Sequence, residues 1–344
     1  MTVGLSPALA AALAKAAPAV RLAGSRDEVG GAFCVLGQAV GAGAQVALEV
    51  PTAIALEPDE RAVRCHACAS CPMDEAAVVR DSSSSMEGDN DGDNDVLLSC
   101  CPACNAFRLC ESCAVVGFGR HHSPAQCAAL RGLGFEGAET APALFILALL
   151  IAANSGPLGP HTALLSHETH PELSRETLNG YATAAERLLP LCMPAWRHGC
   201  GGESGNNFAI AALVRLLSAI ATNAHTLVDP RRHAVVGQGL FPGLSFFNHS
   251  CRPTGYFSME QRPGELPALA GVVRALVSLP AGAEVALSYT PLAACPGAVR
   301  RAWLRQRYLF DCHCPDCAGD GAGAWDGLLR GWRCSACGGL GGAV

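Results

Sequence analysis

The chain is poor in charge and nearly devoid of lysine. Only 16% of its 344 residues are charged, and Lys15 is its single lysine. Cationic residues number 24 and anionic residues 30, a net of −6. A broadly basic nucleic-acid binder, including a zinc-finger reader of DNA, needs the opposite balance, and that class is excluded. Six of the acids (Asp81, Glu87, Asp89, Asp91, Asp93, Asp95) fall within 81–95, where there is no lysine or arginine. Outside that stretch the two signs number 24 each, so the acidity belongs to one insert. No apolar run reaches the about 20 residues that a membrane-spanning helix needs. The longest, about Ala143–Ala153, reads as a buried helix. No basic residue precedes the short apolar stretch at the N-terminus, so a secretory signal is not indicated. Residues 1–26 lack acids and carry Lys15, Arg21 and Arg26, which leaves an organelle transit segment open. Hydrophobic types at 50% supply a buried core and exclude wholesale disorder. The length has room for two or three modules at roughly 100–200 residues each.

Cysteine, by contrast, is abundant. There are 19, an odd number, mostly in C-x-x-C or C-x-C groups. With no secretory signal, that pattern reads as thiolate metal sites in a reducing compartment, nucleus or cytoplasm, rather than as a disulfide framework.

Texture changes along the chain. Residues 1–18 are alanine-rich. Ala32–Leu36 and Gln45–Val50 are short apolar stretches between Gly30-Gly31 and Gly41-Ala42-Gly43, a strand–turn–strand pattern. Residues 81–95 are rich in Ser, Asp, Asn and Gly and read as a solvated loop. As a calcium loop the insert fails: a start at Glu87 places Leu98 where the bidentate glutamate belongs. Pro142–Ala153, Arg175–Leu189 and Asn207–Leu227 carry helical periodicity. Strand texture returns over Val235–Tyr289, and Ala298–Tyr308 reads as a short helix. There are no internal repeats.

The first cysteine cluster pairs Cys65 with Cys68, Cys101 with Cys104 and Cys110 with Cys113, followed by His122 and Cys127. Seven cysteines and one histidine are enough for two tetrahedral zinc sites. Two intervening residues let both thiolates meet one ion from a tight turn, and metal binding supplies the stability that so small a core lacks. The run Leu97-Leu98-Ser99-Cys100-Cys101-Pro102-Ala103-Cys104-Asn105-Ala106-Phe107-Arg108-Leu109-Cys110 resembles a MYND zinc finger. The spacing from Cys110 to Cys113 is one residue shorter than that family's, and from His122 to Cys127 one longer, so His121 is an alternative ligand. The resemblance implies interleaved sets, Cys65, Cys68, Cys110 and Cys113 on one ion and Cys101, Cys104, His122 and Cys127 on the other. Cys71 and Cys100 read as spare buried thiols.

The most specific stretch is Phe241-Pro242-Gly243-Leu244-Ser245-Phe246-Phe247-Asn248-His249-Ser250-Cys251-Arg252-Pro253. It resembles the Asn-His-Ser-Cys motif of SET-domain lysine methyltransferases. Ala281-Gly282-Ala283-Glu284, Leu287-Ser288-Tyr289 and the segment Arg307-Tyr308-Leu309-Phe310-Asp311-Cys312-His313-Cys314-Pro315-Asp316-Cys317 match that fold's later elements in order. With a MYND finger inserted, the whole resembles the SET-and-MYND family over roughly 20–320. That implies an α+β fold: a split SET domain of short strands, β-clip-like and pseudo-knotted, with a helical insert and a cysteine-rich post-SET segment. The implied segments are 1–19, an N-terminal stretch; 20–62, the first SET part; 63–130, the finger; 131–228, the helical insert; 229–294, the SET core; 295–320, the post-SET segment; and 321–344, a tail. Two family features are missing: Glu28-Val29-Gly30-Gly31 stands where Lys-Gly-x-Gly is usual, and the usual helical C-terminal domain has no counterpart in these residues.

The resemblance implies S-adenosyl-L-methionine as cofactor, zinc at about three structural sites, and a protein lysine, on a histone tail or elsewhere, as substrate. It implies cofactor contacts from Asn248, His249, Asn223, Ser245, Tyr289 and Phe310, and catalytic roles for Tyr289 and Tyr308. An amide such as Asn248 offers both donor and acceptor to the cofactor's polar end. Tyr308 and Phe310 would face a cation with π electrons, against the plainer reading of helix-end packing. Helix-end asparagines such as Asn223 are commonly caps. Cys251 with Cys312, Cys314 and Cys317 forms a third, all-thiolate set with no open position for water, hence structural. Cys334 and Cys337 are a lone pair, half a zinc ribbon or a turn with free thiols. A peptide partner at the finger is expected, and no membrane or specific nucleic-acid partner. The reading from another class is a non-catalytic finger scaffold on a degenerate SET domain.

Overall fold

The computed structural model describes residues 7–23, 33–71, 98–133, 143–155, 161, 164–194, 203–229, 231–262, 264–266, 268–318, 332–333 and 340–341. The insert 81–95, Glu28-Val29-Gly30-Gly31 and the Cys334/Cys337 pair lie outside them. Helix α1 (Pro7–Ala16) starts on a proline whose fixed φ suits a first helical turn. Its Leu9, Leu13 and Ala16 fall on one face and are buried. Strand β1 (Val20–Ala23) pairs antiparallel with β2 (Phe33–Leu36), where Cys34 and Leu36 alternate inward. Strand β3 (Gln45–Glu49) lies in one three-stranded sheet and β4 (Ala53–Leu56) in another.

A small hairpin, β5 (Leu98–Cys100) with β6 (Arg108–Cys110), carries finger cysteines. After two single-turn helices, Glu111–Ala114 and Phe118–His121, come four longer ones among the described residues: α2 (Pro124–Leu133), α3 (Ala143–Ser155), α4 (Arg175–Cys192) and α5 (Glu203–Asn223). Ten of the 13 residues of α3 are buried, as its all-round apolar sequence requires. Ser174 caps α4 by accepting the Thr177 N–H at 3.1 Å. Gly205–Asn223 is long and apolar enough to cross a membrane by composition, yet Leu213, Leu216, Leu217 and Ile220 are buried in the core.

The periodicity that reaches Leu227 overruns the helix. Residues beyond Asn223 form β7 (Ala224–Val228), paired with β8 (Val235–Leu240). Leu227 is buried between exposed Thr226 and Val228, a strand period, and the edge of β8 satisfies the backbone there. The sheets are thus β4-β8-β7 and β3-β10-β9, where β9 is Gly255–Gln261 and β10 is Leu269–Ala275. A final helix, α6 (Gly297–Tyr308), follows.

The buried residues form an apolar cluster of α3, α4, α5 and the finger, a second of strands with α1, and a small third around Cys251, Leu304, Cys312 and Cys317. Side chains such as Phe241 and Phe247 are fully enclosed, and each such burial stabilises the fold by about 1.5–3 kcal/mol. Arg64, 2% exposed, ties the start of the finger to the β7–β8 hairpin. Its guanidinium pairs with Glu60, reaches Asp229 at 2.6 Å and donates to the Ala69 carbonyl at 3.0 Å.

Candidate methyl-transfer site and metal groups

The distant motif segments meet. His249 and Leu287 form a parallel bridge; Leu287 N donates to Asn248 O and Ser250 N to Leu287 O, both at 2.8 Å. Strand β2 joins from the other side, with Val285 N donating to Cys34 O at 3.0 Å. Glu49 seats the approach to the motif: its half-buried carboxylate accepts from Gly243 N and Leu244 N at 3.0 and 2.8 Å. Burial pushes its carboxyl up, against those two bonds and Lys15. A side chain at Gly243 would meet Ala12 O and Ala16 Cβ at 2.9 Å, so glycine lets α1 and Glu49 close on this turn.

Tyr289 stands among rings. Its centroid lies 5.2 Å from Tyr308, 5.4 Å from His249 and 6.5 Å from Phe310, the last perpendicular. Helix α6 ends on Leu309, whose left-handed φ of 56° turns the chain between Tyr308 and Phe310. That conformation costs a non-glycine residue about 1–2 kcal/mol, and it leaves both rings against Tyr289. The Tyr289 hydroxyl donates to Phe247 O at 2.7 Å. Burial, with Tyr308, Cys34 and Glu284 nearby, pushes its phenol up, so it stays protonated. Burial likewise lowers His249 to about 4 and raises the Cys34 thiol to about 12.

The other expected cofactor contacts are placed as follows. Asn248 reaches Glu284 Oε1 at 3.5 Å. Asn223 donates through its amide to Leu165 O and Ala219 O, both at 2.7 Å, which leaves its side-chain oxygen as the acceptor. Ser245 Oγ donates to Phe241 O at 2.9 Å and faces Asn223 O at 3.3 Å. The half-buried rings of Tyr289, Tyr308 and Phe310 form a π-rich wall that suits a cation such as a sulfonium.

Three groups of four side chains each have their ligand atoms within 4.8 Å of one another: Cys65, Cys68, Cys110 and Cys113; Cys101, Cys104, His122 and Cys127; Cys251, Cys312, Cys314 and Cys317. Each could hold a zinc ion. At Zn–S of about 2.3 Å, the edge of a tetrahedron is about 3.8 Å. Sulfur pairs Cys68–Cys110, Cys101–Cys127 and Cys251–Cys312 lie at 3.9 Å, and Cys251–Cys317 at 3.6 Å. These separations match ligands around one ion and are far from the about 2.05 Å of a disulfide. His122 Nε2 faces Cys104 Sγ at 3.8 Å while its Nδ1 meets Phe118 O at 3.1 Å, which fixes the ring for metal binding. His121 is turned to the Cys113 carbonyl instead. Cys71 is buried as expected, but Cys100 is exposed.

Sequence reasoning missed Arg300. It is fully buried in α6, donates to Cys295 O at 2.5 Å and places its charge beside the Cys251 sulfur. Its neighbours Arg301 and Arg305 look identical in sequence, so no local spacing marks it.

No protein-family model matches the chain. Histone-lysine N-methyltransferase ASHR1 of Arabidopsis thaliana is 31% identical over 121 residues, 34% of this chain and 23% of the relative. N-lysine methyltransferase SMYD2 of Gallus gallus is 33% identical over 107 residues, 31% of this chain and 22% of the relative. The chain thus spans under a quarter of the length of either relative. A solved SET domain, of LSMT bound to methyllysine and AdoHcy, aligns at a TM-score of 0.40 and 12% identity. It covers 94% of this chain and 63% of that one, and a likeness of that size carries no weight. Over about a third of its length the chain is similar to SET-and-MYND protein-lysine methyltransferases.

Proposed function

We propose that the chain is an S-adenosylmethionine-dependent protein-lysine N-methyltransferase. The observation that carries this reading is the convergence of Asn248 and His249 with Tyr289 inside one half-buried ring cluster. Asn248, the backbone at His249 and the Asn223 side-chain oxygen would hold the cofactor, with Ser245 and Phe310 beside them. S-adenosylmethionine supplies, when bound, an electrophilic methyl group on a sulfonium. The residues of this chain do the rest. Tyr308 and Phe310 wall a narrow approach and exclude water. Desolvation there favours the neutral lysine amine that the reaction needs, its proton leaving to solvent. The protonated Tyr289 hydroxyl, held by its bond to Phe247 O, orients the reacting groups, and catalysis is mainly alignment and electrostatics.

The substrate we propose is a lysine on a histone or another protein, in line with the names of the relatives. A peptide partner at the finger and residence in nucleus or cytoplasm belong to the same proposal; all 16 cysteines in the described residues are free thiols, in keeping with a reducing compartment. The segment boundaries given above are proposed with it. The scaffold reading draws on one observation, that Asn223 and Ser245 direct their donors into the chain itself. Radiolabelled-methyl transfer to histones and to whole-cell extract separates the two. Label incorporation by zinc-loaded protein, lost in Tyr289→Phe, is expected; no incorporation above that variant favours the scaffold.

A further inference from the structure

His249 touches both the third metal group and Tyr289. The Tyr289 N–H donates to His249 Nδ1 at 2.9 Å. A ring nitrogen that accepts carries no proton, so the neutral imidazole holds its proton on Nε2. Nε2 lies 3.3 Å from Cys251 Sγ. The N–H is therefore aimed at a sulfur that belongs to the zinc group. Hydrogen bonds to a metal-bound thiolate orient it and lower its tendency to take up a proton and leave.

We infer that His249 is a positioning residue that fastens Tyr289 to the third zinc ion, its Nε2–H held by the Cys251 thiolate and its Nδ1 holding the Tyr289 backbone. The zinc half of this inference stands by itself; the Tyr289 half rests on the methyltransferase reading. Its consequence is that loading of the third site sets the pose of the tyrosine.

Two substitutions divide the ring's roles. In His249→Asn the side-chain carbonyl can stand where Nδ1 stands, but nothing reaches Cys251. In His249→Gln the amide N–H reaches the sulfur, but the acceptor for Tyr289 is lost. The experiment is chelator competition on zinc-loaded protein, counting ions released over time, with methyl transfer measured in parallel. We expect one of three ions to leave about tenfold faster from His249→Asn and at the wild-type rate from His249→Gln. We expect transfer by His249→Gln to fall about tenfold although its zinc is retained. Equal release from both variants and wild type overturns the link to zinc. Transfer by His249→Gln at the wild-type rate overturns the link to Tyr289. If wild type transfers no methyl group, the methyltransferase reading fails while the release rates still judge the zinc half. Wild-type protein loaded with cadmium-113 needs no variant: scalar coupling from a histidine Nε2 proton to an all-thiolate cadmium is expected, and a histidine with its proton on Nδ1 at that site overturns the inference.

Discussion

The finger, with one all-cysteine group and one of three cysteines and His122, and the post-SET segment, with four cysteines, put their metal groups to different ends. In the finger, the groups around the ligands are its own: His122 is steadied by Phe118 O and stacked on Phe107 at 4.4 Å. Around Cys251, Cys312, Cys314 and Cys317 the neighbours are Tyr289, Tyr308 and Phe310. One kind of metal group closes a module. The other joins segments 61 and 66 positions apart and packs against the rings of Tyr289, Tyr308 and Phe310.

The largest effect should come from the ligands themselves. Cys312→Ser is expected to lose one zinc ion and at least about 100-fold in methyl transfer, whereas Cys104→Ser loses one ion and keeps cofactor affinity within about threefold. Metal analysis beside cofactor titration checks both. Equal loss of cofactor binding in the two variants would erase the contrast.

Next is the tether between the regions. Arg64→Met leaves Glu60 and Asp229 without their buried partner. A loss of about 3–5 kcal/mol in urea unfolding of zinc-loaded protein is expected. A loss under about 1 kcal/mol would mean that the finger is seated by other contacts.

Tyr289→Phe removes one hydroxyl and its bond to Phe247 O. Transfer should fall about 100-fold with stability changed by about 1 kcal/mol. Wild-type activity in the variant would remove Tyr289 from the chemistry.

The smallest effect is a pH slope at a residue outside the three metal groups. Burial between Phe241 and Phe257 lowers His225 to about 4. Between pH 4 and the ordinary value of 6.5 the unfolded chain then binds the extra proton, so stability rises with pH and falls on acidification. The slope from this group is at most about 1.4 kcal/mol per pH unit. In His225→Gln the profile should be shallower by that amount, which isolates it from protonation of zinc ligands. An unchanged slope would show that the ring is not the group responsible.

Local spacing made the cysteine pairs legible in the sequence, because a C-x-x-C turn fixes two thiolates wherever it folds; which pairs share an ion came from the family resemblance. The Asn248–Cys251 motif was legible for its rarity. What was hidden depends on distant partners. Glu49 reads as one polar residue in a strand, yet it holds Gly243 and Leu244. Arg300 reads as one of a basic helix, yet it is sealed against Cys251. The end of α5 was misread because apolar periodicity continues past Asn223, where pairing with β8 takes over.

The most direct test of a methyl-donor site clamped by the third metal group is calorimetric titration of zinc-loaded protein with S-adenosylmethionine. The account predicts saturable binding of one cofactor per chain, abolished by Asn248→Ala. No heat from protein shown to be folded and metal-loaded would contradict it.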